Sequence, residues 1–111
     1  MMSDVVAIEE EITKAKIDLN KAKALTRLNL NKDFKEVISI GYLEKEVVKL
    51  VHSKANFLTI EANEQINRRI DAISFFIQYL SNIELNGASA EAFIAESEDL
   101  LDQIQGEESD V

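Results

Sequence analysis

Apolar residues recur along this chain at alternating steps of three and four, the spacing that places side chains on one face of an α-helix. In the first segment, from Asp4 to about Leu28, they fall at Val5, Ile8, Ile12, Ala15, Leu19 and Ala22. Ser3 or Asp4 can cap its start, and Glu9, Glu10 and Glu11 come early, where the helix dipole favours negative charge. Asn29 and Asn31 loosen its end. Asp33 followed by Glu36 has the form of a capping box, so a second helix is predicted from Asp33 to about Ala55. Its apolar residues do not share one face. Phe34, Val37, Ile38 and Gly41 lie on one arc, whereas Leu43, Val47, Leu50 and Val51 lie on another, turned by roughly a quarter turn. A bend near Gly41 reconciles the two, or Gly41 admits a neighbouring helix, and a continuous or mildly bent helix is expected.

Asn56 to Asn63 reads as a connection, with Thr59 available as a cap. The most apolar stripe follows at Ile66, Ile70, Ile73, Ile77 and Leu80, broadened by Phe76 and Ile83. Asn86-Gly87 is expected to end that helix, because Gly takes the left-handed conformation at helix C-termini. Ser89 can cap a last helix with a stripe of Ala90, Phe93, Ile94, Ser97, Leu100, Leu101 and Ile104, which Gly106 stops. The predicted fold is all-α, a small bundle of about four helices at approximately 4–28, 33–55, 61–85 and 89–105. Residues 1–105 form a single domain, with 106–111 as a flexible acidic tail.

Composition strengthens the helical reading. The 111 residues contain no proline and only three glycines, so helix interiors meet few breakers. Cysteine is absent, which excludes disulfides and thiolate chemistry. No apolar run approaches the roughly 18 residues of a membrane span, and the opening MMSDVVAIEEEI carries acids where a signal peptide would carry bases. The expected location is the cytosol or a particle that the chain joins, with no membrane partner.

Charge changes the picture further. All twelve Lys and Arg residues lie at or before Arg69, and residues 70–111 hold ten carboxylates and no base. Such an asymmetry constrains how the chain can meet a second copy or a polyanion.

Few residues invite chemistry. His52, the single histidine, has Lys49 nearby and no carboxylate at the Glu-x-x-His spacing of di-metal bundles, so it reads as a surface residue. No serine has a base close in sequence, and phosphate-loop and zinc motifs are absent. The expectation is a non-enzyme without cofactor, metal or catalytic residues. Glu96, Glu98, Asp99 and Asp102 fall within a helical pattern rather than a glycine-centred calcium loop, and read as a solvated face or a partner contact. Seven bases against two acids between Lys14 and Lys35 raise nucleic-acid binding, but Lys14 and Lys21 leave one edge of the stripe and Lys16, Lys23 and Arg27 the other. No aromatic residue is interleaved to stack on bases, so nucleic acid is the weaker candidate.

The first stripe also permits an oligomer seam. With Val5, Ile12 and Leu19 at a and Ile8, Ala15 and Ala22 at d, a parallel coiled coil would pair Glu11 with Lys16 and Asp18 with Lys23. Alanine at two d positions makes that seam thin, and packing within the chain is the alternative. Phe75 and Tyr79, one turn apart on the far side of the third stripe, are either covered by another helix or anchor a partner.

The segment NKDFKEVISIGYLEKEVVKLVHSKAN, with the later INRRIDAISFFIQYL, resembles a family of small acidic helical proteins encoded by tailed bacteriophages. The shared pattern runs Asp33-Phe34-Lys35, Gly41-Tyr42-Leu43-Glu44, Glu46 and Leu50-Val51, and the likeness covers about residues 20–85. These are caps and core positions, so the resemblance carries over no site residue. It implies a phage gene product acting through protein contacts, in the host cytoplasm or in or beside the virion during assembly, with phage structural or assembly proteins as partners; a homo-oligomer is the separate option left by the first stripe. The alternative is an early inhibitor that binds a host polymerase, nuclease or defence protein.

Overall fold

The computed structural model describes residues 2–56 and 58–109, and the side chains of all of these except residues 2, 108 and 109. Every regular element among them is helical: α1 (Met2–Leu30), α2 (Lys32–Phe34), the π-helix π1 (Lys35–Glu46), α3 (Val47–Ser53) and α4 (Ile60–Ser109). Because α2, π1 and α3 follow without interruption, the described residues make three helical rods, and the expected third and fourth helices are one. The all-α class holds and the four-helix count does not.

Asn31 makes the first break. It takes an extended backbone conformation, and its Oδ1 accepts the Phe34 N–H at 2.9 Å. The cap is thus Asn31 rather than Asp33, which sits inside the first turn and complements the dipole there. At the start of α1, Ser3 and Asp4 likewise lie inside the helix instead of capping it. The second break follows Ser53, where the N–H groups of Lys54, Ala55 and Asn56 each bond the carbonyl three residues back. Thr59 then caps α4 as expected, its Oγ1 accepting the Ala62 N–H at 3.1 Å.

The two arcs of the second rod are reconciled by widening rather than by a kink. In a π-helix each N–H reaches five residues back, so more residues fill each turn and the apolar face lags the α-helical phase. Phe34, Ile38, Leu43, Val47 and Leu50 are the buried and half-buried large apolar residues of this rod, at steps of four, five, four and three. The step of five, from Ile38 to Leu43, lies inside π1. Val37 and Val51, each assigned to an arc by the α-helical reading, are left exposed. Gly41 sits at this step, where an added Cβ would lie 2.5 Å from the Glu36 carbonyl oxygen. Its role is to let the preceding turn of its own helix close in, not to admit a neighbour.

Contacts gather the chain into two compact units, Leu25–Asn82 and Met1–Ala24 with Ile83–Val111. In the first, π1 and the early part of α4 run antiparallel. Tyr42 meets Phe76 edge to face at 6.3 Å between ring centroids, and Glu46 pairs with Arg69 at 3.0 Å. Its core includes Leu25, Leu50 and Ile73, the last only 1% exposed.

The second unit is an antiparallel pair made by α1 and the later part of α4. Ile12, Gly87, Ala90, Ile94 and Ser97 are its buried positions, and Val5, Ile8, Ala15, Leu19 and Ala22 are half-buried. Here the stripe of α1 finds its cover within the chain. Gly87 is buried in mid-helix, and a Cβ there would collide with the methyl group of Ala22. The expected terminator is instead a point of close approach between two helices, opposite one of the alanines that make the seam thin. Gly106 also lies within α4, which continues to Ser109, so the acidic end is helical to that point; residues 110 and 111 lie outside the described residues.

Candidate functional site

Small side chains let α1 and α4 come together, and they also leave space beside the contact. Glu11, Lys14, Ala15 and Asp18 of α1 face Asn86, Ser89, Ala90 and Phe93 of α4 around a shallow cleft of about 330 Å³. Ala15, Ala90 and the Phe93 ring give it an apolar part, and Glu11, Lys14, Asp18, Asn86 and Ser89 line the rest. Lys14 Nζ lies 3.3 Å from Glu11 Oε1, an exposed pair three residues apart on one helix. The Asp18 carboxylate makes no ion pair among the described residues. Ser89, expected as a helix cap, lines this cleft from the middle of α4.

Phe93 and Leu100 were both expected in the buried stripe of a last helix. They are 40% and 46% exposed, respectively, and stand seven residues apart, which places them in line on one face two turns from each other. Neighbouring Ala90, Ile94, Ser97, Leu101 and Ile104 take the buried and half-buried positions instead.

The other candidate residues divide by exposure. Phe75 is 69% exposed, so no helix of this chain covers it, and Tyr79 is about half exposed. Glu96, Glu98, Asp99 and Asp102 all lie on the solvated surface of α4. Of the proposed coiled-coil seam, Val5, Ile8, Ile12 and Leu19 face inward in the α1–α4 pair, while Glu11, Lys16, Asp18 and Lys23 are exposed at its edges. Glu11 takes Lys14 of its own helix as partner where the parallel coil would have given it Lys16. His52 is exposed on α3. No group of three or more His, Asp and Glu residues among the described residues is placed to hold a metal ion, and no helix among them is long and apolar enough to cross a membrane.

Electrostatics follows the units more sharply than the sequence halves. The unit of Leu25–Asn82 holds seven acids against eight bases, for a balance of +1. The α1–α4 unit holds fourteen acids against four lysines, for a balance of −10. The cleft therefore opens on the strongly acidic part of the molecule.

These features define no class finer than an all-helical protein. Comparison with known proteins goes no further, for the chain matches no family model, no curated protein and no solved structure.

Proposed function

We propose that this chain is a non-enzymatic phage protein that works through protein–protein contacts, as a virion component or an assembly factor. The observation that supports contact as its mode of action is the outward display of large apolar groups on α4: Phe75, Leu85, Phe93 and Leu100 are all exposed. Contiguous exposed apolar groups mark interaction surfaces, and Phe93 and Leu100 stand in line on one face of α4. The phage assignment rests on the sequence resemblance of about residues 20–85. Mass spectrometry of purified particles and assembly intermediates tests the proposal, and it is expected to find the chain in one or both. Absence from both would overturn it.

A second reading is favoured by the charge of the α1–α4 unit. At −10 that unit suits a basic surface on a host polymerase, nuclease or defence protein, as an early inhibitor would require. A pull-down from infected host lysate separates the readings, since inhibition requires one dominant host partner. Nucleic-acid binding, through Lys16, Lys23 and Arg27, is the weakest reading. It requires affinity that falls steeply with salt and with neutralisation of those residues.

A further inference from the structure

The partner's chemistry can be stated more narrowly, resting on the protein-contact reading above. We propose that the cleft between α1 and α4, with the line from Phe93 to Leu100 that leaves it, docks a basic amphipathic segment of a partner protein, whose Arg or Lys side chain enters beside Asp18 and Phe93. Three observations meet here. The cleft is lined by apolar groups (Ala15, Ala90, Phe93) beside the carboxylates of Glu11 and Asp18, which suits a side chain with an apolar stem and a cationic head. Its aromatic wall can stack on a guanidinium or receive an ammonium over its face. Lys14 is held by Glu11, which leaves the Asp18 carboxylate for an incoming cation.

The apolar line decides between a protein segment and a small polycation. Leu100 stands two turns beyond Phe93 and offers nothing to a polyamine, whereas an amphipathic segment can lay apolar side chains against both. The −10 balance of the unit repels nucleic acid and equally the same unit of a second copy. On a basic partner the same charge speeds encounter and rejects acidic competitors.

The test titrates the full-length protein against a fluorescein-labelled helical peptide of leucine and arginine in amphipathic order, read by fluorescence anisotropy at near-physiological salt. Phe93→Ala and Asp18→Asn are each expected to weaken binding about five- to tenfold, the range of a buried anchor or of a desolvated charge contact. Glu107→Gln makes the same charge change at an exposed position of α4 outside the cleft, and is expected to shift affinity by no more than about twofold. Both cleft side chains are exposed, so circular dichroism of the variants should match that of the parent. Equal losses from Asp18→Asn and Glu107→Gln would reduce the effect to diffuse charge and overturn the proposal. So would equal binding of a peptide with serine in place of leucine, or displacement of the peptide by spermidine at matched charge. Self-association abolished by Phe93→Ala in sedimentation would place a second copy in the cleft and overturn it as well. The readings fail separately: peptide binding by a chain absent from particles removes only the assembly role, and particle incorporation without peptide binding removes only the basic segment.

Discussion

Two glycines in α4 have opposite surroundings, and the difference is measurable. Gly87 lies against Ala22, so Gly87→Ala should force the helices apart. Overpacking of this kind typically costs about 1–3 kcal/mol, more than the gain of up to about 1 kcal/mol from replacing a mid-helix glycine. Gly106 has nothing within 4 Å of an added Cβ, and Gly106→Ala should be stabilising by up to about 1 kcal/mol. Urea unfolding of both variants checks the pair of signs, and a stabilising Gly87→Ala would refute the close approach. In the sequence the two are hard to separate, because glycine serves equally as a helix terminator and as a place for a neighbouring backbone to come near. One signal was available at Gly87. The stripe continues through it at Ile83, Gly87, Ala90 and Ile94, in steps of four, three and four, as an unbroken helix requires.

At the scale of the element, the second rod is where periodicity and structure part most instructively. An α-helical wheel splits its apolar residues into two arcs, and π1 restores one face by lagging the phase between Ile38 and Leu43. Gly41→Ala is therefore expected to destabilise the chain, against the gain that helix propensity alone would give. The added methyl meets the Glu36 carbonyl and pushes the segment towards α-helical winding, which would turn Leu43 or Ile38 off the packed face. A higher urea midpoint for Gly41→Ala would show that the widened turn carries no packing role. The caps were more legible. Thr59 was readable because N-capping is local, while at Asn31 the same chemistry fell two residues before the capping box that Asp33 and Glu36 suggested.

At the scale of the molecule, the stripe of α1 packs against the later part of α4 within the chain. Leu19→Asp should lower stability by introducing a charge at a half-buried seam position. The unfolding midpoint of the parent should not depend on protein concentration, since no second chain is needed to cover the stripe. A midpoint that rises with concentration would favour the coiled-coil seam. Charge gives a further whole-molecule expectation. The sequence of the α1–α4 unit carries a net charge of −10, so added salt should raise thermal stability by screening its self-repulsion. A fall in melting temperature on moving from low to moderate salt would mean that attractive pairs such as Glu46–Arg69 outweigh the repulsion.

Helical class, the apolar stripe of α1, the core position of Ile73 and the cap at Thr59 were determined by the sequence alone. Each depends on residues within a few positions of one another, where propensity, spacing and side-chain length are enough. Only the tertiary structure decided that two predicted helices are one, that Gly41 sits in a widened turn and that Phe93 and Leu100 face solvent. Close approach and exposure depend on what lies across the gap, and the segment opposite Gly87 is some sixty residues away in the chain. The cleft belongs to this second kind: Asp18 and Phe93 have no relation in sequence, and they share a wall because small residues let α1 and α4 pack closely enough to bring them together.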